Sequence, residues 1–67
     1  MLLMGTRLRE LRQGRFLSLR DLADSAGVGY VTIYRLEHDK QRATFRTLRK
    51  LAAALGVEPA ELVTREK

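Results

Sequence analysis

The chain of 67 residues is the size of one small domain, and its formal net charge of +5 favours a negatively charged partner. It has no cysteine and a single histidine, His38, so the sequence excludes disulfides and thiolate zinc sites and predicts neither a metal nor a cofactor. Its apolar runs are too short to span a membrane.

The N-terminal part of the chain predicts a cytoplasmic protein that begins with a helix. The stretch MLLMGTRLRE has no apolar segment of signal-peptide length, so we expect no export. Met4, Leu8 and Leu11 recur at the spacing of one helix face, which predicts a first helix that frays out near Gly14.

A second helix is predicted to begin after Ser18 and to stop at Gly27. Ser18 and Asp21 resemble a capping box, in which the serine hydroxyl accepts a hydrogen bond from the third amide of the helix. Leu22 and Ala23 lie on its apolar side. Gly27 fits the left-handed conformation that ends many helices.

A third helix is predicted from about Tyr30 to His38, after a connection of only two residues. Such a helix buries Ile33 and Leu36. At 100° per residue, Val31 and Arg35 then point almost opposite this apolar pair. A solvated face that carries a valine, two tyrosines and an arginine indicates a binding surface.

The C-terminal part predicts two further helices and a tail. Thr44 is the expected N-cap of a fourth helix that ends at Gly56, and its apolar stripe comprises Phe45, Leu48, Leu51, Ala52 and Leu55. Pro59 suits the first turn of a fifth helix, from which Leu62 and Val63 close the core. Residues 64–67 are predicted to form a frayed tail. We therefore expect five helices and no strands in one domain of residues 1–67.

The positive charge is concentrated directly after the third helix. Residues 38–50 contain five basic side chains against one acidic side chain, whereas the rest of the chain is nearly balanced. A basic patch of this kind favours a polyanion, either nucleic acid or an acidic membrane surface. A merely solvated surface is the alternative that charge alone leaves open.

The second and third helices, joined by a short turn, predict a helix-turn-helix over residues 18–38. Residues 8–62 resemble the phage-repressor-like helix-turn-helix family, the Cro/repressor or XRE type. The shared features are LR at 11–12, LS at 17–18, LA at 22–23, GV at 27–28, Ile33, Glu37, Lys40 and LAAALGVEPAEL at 51–62. The resemblance implies an all-α, compact five-helix lambda-repressor-like DNA-binding domain that acts as a homodimer on a palindromic operator.

Carried onto this sequence, the resemblance assigns base contacts to the third helix, at Tyr30, Val31, Thr32, Tyr34 and Arg35. Arg35 can donate two hydrogen bonds to a guanine, and Val31 can contact a thymine methyl group. Two alternatives stay open: Tyr30 packs at the edge of the core, or Val31 marks a protein interface.

The resemblance also implies phosphate contacts and a structural ion pair. The phosphate contacts fall at helix starts and in the loop after the third helix, on Ser18, His38, Lys40, Gln41, Arg42, Thr44 and Arg46. Free amides at a helix start attract phosphate oxygens. The ion pair joins Arg12 to Glu37. For each phosphate residue the alternative is a solvated side chain.

Three positions depart from the family pattern. The family's glutamine that contacts phosphate and braces the recognition helix is Leu19 here, so that contact is not carried over. Gly29 replaces a capping serine, which weakens the cap only slightly. Asp39 replaces a glycine after the third helix, and aspartate tolerates the left-handed conformation with a small strain.

These features predict a sequence-specific regulator of transcription, most simply a repressor, that binds double-stranded DNA at the nucleoid. An antitoxin that binds a toxin partner and represses its own operon, or a restriction–modification controller, fits the same residues. We expect no membrane contact. An enzyme is not indicated, because no nucleophile–base constellation or phosphate-binding glycine loop is present, and RNA binding is disfavoured because no strands are predicted to carry stacking aromatics.

Overall fold

The fold is seen in a computed structural model that describes residues 2–65. Four α-helices, α1 (Gly5–Gly14), α2 (Leu19–Ala26), α3 (Tyr30–Glu37) and α4 (Phe45–Leu55), are followed by one turn of 3-10 helix (Pro59–Leu62). The two ends of the domain form an antiparallel pair of short strands, β1 (Leu2–Leu3) and β2 (Thr64–Arg65). No helix among the described residues is long and apolar enough to cross a membrane.

Two expectations about the C-terminal part were wrong. The fifth element begins at Pro59 as predicted, but it is a single 3-10 turn closed by a hydrogen bond from the Glu61 amide to the Glu58 carbonyl at 2.9 Å. It cannot lengthen into an α-helix because Val63 is already extended. Thr64 and Arg65, predicted to fray, pair through their backbones with β1. Residues 66 and 67 of the predicted tail lie outside the described residues.

The predicted helix caps are confirmed. The amide of Asp21 donates to the Ser18 hydroxyl at 2.9 Å and the Ser18 amide donates to the Asp21 carboxylate at 3.0 Å, which completes the capping box of α2. Thr44 caps α4 by accepting from the Thr47 amide at 3.1 Å. Gly29 is the N-cap of α3, in an extended conformation and without a side-chain bond.

All four α-helices end on a residue in the left-handed conformation: Phe16, Gly27, Asp39 and Gly56. At each end an amide one residue further on reaches back five residues to a helix carbonyl, as in the Schellman motif. Glycine adopts this conformation freely, whereas phenylalanine and aspartate are strained in it. Asp39 behaves as predicted, and its carboxylate also accepts a hydrogen bond from the Gly5 amide at 3.2 Å.

The core contains the apolar stripes that the sequence predicts. Its buried residues are Met4, Leu8, Leu22, Ala23, Ile33, Leu36, Leu51, Ala52, Leu55 and Leu62. Helix α2 packs against both α3 and α4. The core therefore lies on one side of the helix-turn-helix, and the opposite side of α3 is exposed to solvent. Phe45 is an exception to the predicted α4 stripe: it is 80% exposed, because the first residue of α4 extends past the core.

Candidate nucleic-acid interface

Helix α3 has one buried side and one exposed side, as its sequence period predicts. Ile33 and Leu36 are fully buried. On the other side Tyr30, Val31 and Tyr34 are each nearly half exposed, and Arg35 is exposed beside them. These four residues, hereafter the exposed face of α3, follow one another at positions i, i+1, i+4 and i+5 and therefore form a continuous stripe. Thr32, the fifth predicted base contact, is half-buried at the edge of this stripe.

Aromatic contacts order the two tyrosines of the exposed face. The rings of Tyr34 and His38, one helical turn apart, lie 4.3 Å between centroids and are tilted by 46°. The guanidinium carbon of Arg20, on α2, lies 5.6 Å from the centre of the Tyr30 ring. Tyr30 is not among the side chains that pack against the core in the described part of the chain. Both tyrosine rings therefore contact a neighbouring side chain and remain nearly half exposed.

The start of α2 offers phosphate a mixed environment. Ser18 uses its hydroxyl oxygen and its amide in the capping box with Asp21. The hydrogen bond from the Ser18 amide, followed by that of its hydroxyl group, lowers the pKa of the Asp21 carboxyl, so a negative charge stands at this helix start. That charge repels a phosphate placed directly over the cap, while the exposed Arg20 beside it attracts one.

The start of α4 is more favourable to an anion. Its first turn contains no acidic residue. The Thr44 hydroxyl accepts from the Thr47 amide and donates to the Thr47 hydroxyl at 3.2 Å, so the cap is neutral. The first two amides of the helix have no protein acceptor, as at any helix start. Arg42 and Arg46 flank this end and are exposed.

The loop after α3 carries the remaining predicted phosphate contacts. His38, Lys40, Gln41 and Arg42 are all exposed. Each ion pair among the described residues involves Glu10 or Glu37, so none neutralises the cations of this loop. A groove of about 550 Å³ runs beside the loop, and Lys40 and Arg42 line it together with apolar side chains such as Leu48 and Phe45.

Arg12 and Glu37 form a two-pronged ion pair under α3. The Nε and Nη2 groups of Arg12 donate to the two carboxylate oxygens of Glu37, at 2.6 and 3.1 Å, and Nη1 donates to the Leu17 carbonyl at 2.8 Å. The Glu37 hydrogen bonds raise the pKa of Arg12 above its already high ordinary value. Glu37 is buried, and Arg9 reaches it from the solvent side at 3.7 Å. The pair thus fixes the end of α3 to α1 and to the start of α2.

Sequence reasoning missed Arg9, Arg20 and Phe16. Arg9 lies one helical turn before Arg12 on the same side of α1, and that spacing was the available signal. Arg20 could have been found by noting that the first turns of α2 and α3 lie near each other in a helix-turn-helix. Phe16, 94% exposed and left-handed, had no signal, because phenylalanine is an unusual choice for that conformation.

Comparisons with known proteins agree with this geometry. The helix-turn-helix family pattern matches residues 8–62. The HTH-type transcriptional regulator PrtR of Pseudomonas aeruginosa is 43% identical over 62 residues, which are 92% of this chain and 24% of PrtR. The chain therefore spans about a quarter of that relative.

Solved structures show the same fold. The restriction-modification controller protein C.AhdI from Aeromonas hydrophila superposes with a TM-score of 0.86 and 37% identity, covering 88% of this chain and 89% of the controller. A chain of the SinR–SinI protein complex superposes with a TM-score of 0.85 and 30% identity, covering 90% of this chain and 59% of the other. These similarities confirm the helix-turn-helix fold.

Proposed function

Because this chain belongs to the helix-turn-helix family, whose members named above include transcriptional regulators, we propose that it controls transcription by binding a specific double-stranded DNA sequence through α3. The observation that supports this most strongly is the exposed face of α3. It presents hydroxyl, guanidinium and methyl groups to solvent directly opposite the buried Ile33 and Leu36. A helix built in this way fits the major groove.

The chemistry of the exposed face suits base recognition. Arg35 has no ion-pair partner among the described residues, so its planar group is free to donate two hydrogen bonds to a guanine. Val31 lies one turn before it and can contact a thymine methyl group. Tyr30, Thr32 and Tyr34 add hydroxyl groups along the same helix.

The cations around α3 suit the DNA backbone. Lys40, Arg42 and Arg46 follow the exposed face in the chain, and the first turn of α4, which begins at Phe45, contains no acidic residue. Contacts of this kind set the register of the protein on DNA and supply most of the salt-sensitive affinity. His38, Gln41 and Thr44 complete the proposed set, whereas the capping box with the Asp21 carboxylate disfavours the predicted phosphate contact at Ser18.

The proposed operator is palindromic and the proposed active species is a homodimer in the cytoplasm. The described domain measures 32 × 21 × 20 Å, and it contains a single recognition helix. Successive turns of the major groove are about 34 Å apart, so reading two half-sites requires two copies of the chain. Bound over a promoter, such a dimer acts as a repressor.

A restriction–modification controller is the second candidate within this function. The chain covers 89% of C.AhdI but only 24% of PrtR, so the similarity extends over nearly the whole of the controller. An antitoxin that also binds a toxin is distinguished by a stoichiometric protein partner in its host.

Selection of bound duplexes from a random DNA pool, at about 50 and 200 mM salt, tests the proposal. We expect a palindromic motif that persists at the higher salt, because base contacts add to the screened phosphate contacts. The Arg7→Ala variant is the control and should recover the same motif, because Arg7 is not on the exposed face of α3 and donates to the Glu61 carbonyl. Binding without any motif, lost as salt rises, would overturn sequence-specific recognition.

A further inference from the structure

A side-chain contact joins the first turn of α2 to the first turn of α3. It lies on the surface that we propose to face DNA. Arg20 is the second residue of α2 and Tyr30 is the first residue of α3. The guanidinium carbon of Arg20 lies 5.6 Å from the Tyr30 ring centre, within the range of a cation–π interaction. Both side chains are exposed, so this contact does not serve the core.

The neighbouring Leu19 cannot provide a polar contact on this surface. Leu19 is half-buried and packs against the core, which directs it away from solvent and leaves it without a polar group. Because each residue turns a helix by 100°, a buried Leu19 places Arg20 on the outer side of α2. The exposed polar side chain next to Leu19 at this helix start is therefore Arg20.

Arg20 contacts the Tyr30 ring but is not neutralised by an acidic side chain among the described residues. Asp21 is engaged in the capping box, and Asp24, one turn further along α2, forms no ion pair with Arg20 in the described structure. A guanidinium group that stacks on an aromatic ring keeps its N–H donors in the plane of the group, where they can still meet two phosphate oxygens. The Asp21 carboxylate repels an anion from the cap itself, which leaves Arg20 as the attractive group at this helix start.

We propose that Arg20 is the DNA-phosphate contact of α2, and that through its cation–π contact with Tyr30 it also positions that tyrosine at the edge of the half-site. This inference rests on the proposed function and adds to it a residue that the family pattern does not assign. Arg20 acts on recognition through Tyr30, so it is a positioning residue as well as a contact.

The test uses the full chain and the duplex recovered by selection, with single phosphates replaced in turn by uncharged methylphosphonates. In the unmodified protein, the duplex that lacks the contacted phosphate should bind several-fold more weakly. In Arg20→Ala that loss should disappear at the same phosphate, and the slope of log affinity against log salt should fall by about 1. Arg20→Lys should retain the salt slope and bind more weakly than the parent, because an ammonium group lacks the planar fork.

A double-mutant cycle tests the coupling of the two side chains. Arg20→Ala and Tyr30→Ala should be non-additive by about two- to fivefold in affinity, whereas Arg20→Ala and Tyr30→Phe should be nearly additive, because Tyr30→Phe keeps the ring that Arg20 contacts. A purely structural role would shift the thermal midpoint of Arg20→Ala without changing its salt slope, and that result overturns the inference.

The two proposals fail in different ways. If Arg35→Ala loses base discrimination while Arg20→Ala leaves every methylphosphonate effect unchanged, only the role of Arg20 is overturned. If the selection recovers no motif and Arg35→Ala binds as the parent does, the proposed function itself is overturned.

Discussion

The two sides of α3 differ in what a substitution there should change. On the buried side Ile33, Leu36 and Glu37 are enclosed, and no buried side-chain polar atom among the described residues lacks a partner. On the exposed face, Val31 and Arg35 are accessible to solvent, and Arg35 forms no ion pair among the described residues. The buried side of this helix therefore contributes to folding and the exposed face is the side proposed for recognition, so the two should separate in experiment.

The largest expected effect is on the buried side, at Glu37. Glu37→Gln leaves the guanidinium of Arg12 in a poorly solvated site without its counter-charge, so we expect the free energy of unfolding to fall by about 3–5 kcal/mol. Urea denaturation measures it. Arg35→Gln on the exposed face is the matched control and should stay within about 0.5 kcal/mol of the parent. Equal losses in the two variants would break the distinction between the two sides.

If Glu37→Gln is too unstable to measure, Ile33→Val gives a milder test of the same side. Loss of one buried methylene should cost about 0.5–1.5 kcal/mol. The folded fraction should keep the affinity of the parent for its operator.

The next effect concerns the cations that follow α3. Replacing both Arg42 and Arg46 by alanine should reduce the slope of log affinity against log salt by about 2, because each contact releases roughly one counterion. The stability of the fold should change little, since both side chains are exposed and unpaired in the described structure. Arg7→Ala, which removes one positive charge, controls for net charge, and a fall of about 1 in its slope would show that only overall charge matters.

A smaller effect tests whether substituting an exposed residue always leaves the free energy of unfolding unchanged. Phe16 is 94% exposed but sits at φ 56°, so Phe16→Gly should relieve backbone strain and raise the free energy of unfolding by about 1 kcal/mol. Phe16→Ala removes the ring but keeps the strained Cβ, and it should leave stability nearly unchanged. Thermal unfolding of both variants measures this difference. An equal gain of stability in both would contradict the claim that the backbone at Phe16 is strained.

The smallest effect is a pH dependence at the start of α2. Because the capping box lowers the pKa of Asp21, its stabilising contribution is present above about pH 4 and is lost as the pH falls through the lowered folded-state pKa. Between pH 4 and pH 2, the urea midpoint of Asp21→Asn should depend less on pH than the urea midpoint of the parent does. Asp24→Asn, on the same helix but outside the cap, is the control. A parental slope in Asp21→Asn would contradict the role of the cap.

The sequence predicts most of the fold because most of its signals are local. Ser18 and Thr44 start helices through bonds to amides three residues away, and Gly27 and Gly56 end them by a conformation of their own. The β1–β2 pair had no such signal, since two-residue strands have no period and form only because the ends of the chain meet. The exposure of Phe45 was missed because a helical period does not say where the core stops.

The candidate site also has one part that the sequence predicts and one part that it does not. The exposed face of α3 follows from helical geometry once Ile33 and Leu36 are assigned to the core. The contact between Arg20 and Tyr30 depends on how α2 and α3 are placed relative to each other, and no spacing within either helix encodes that placement.

The central claim is that the exposed face of α3 reads bases, and Arg35 tests it most directly. The measurement is the affinity of the parent and of Arg35→Ala for the selected operator, and for duplexes in which one base pair of each half-site is changed, at a single salt concentration. The parent should discriminate against a change at one guanine by about 1–3 kcal/mol per half-site. Arg35→Ala should lose that discrimination alone and keep its preference at the other positions. If Arg35→Ala discriminates at every position as the parent does, α3 does not read the operator through this face.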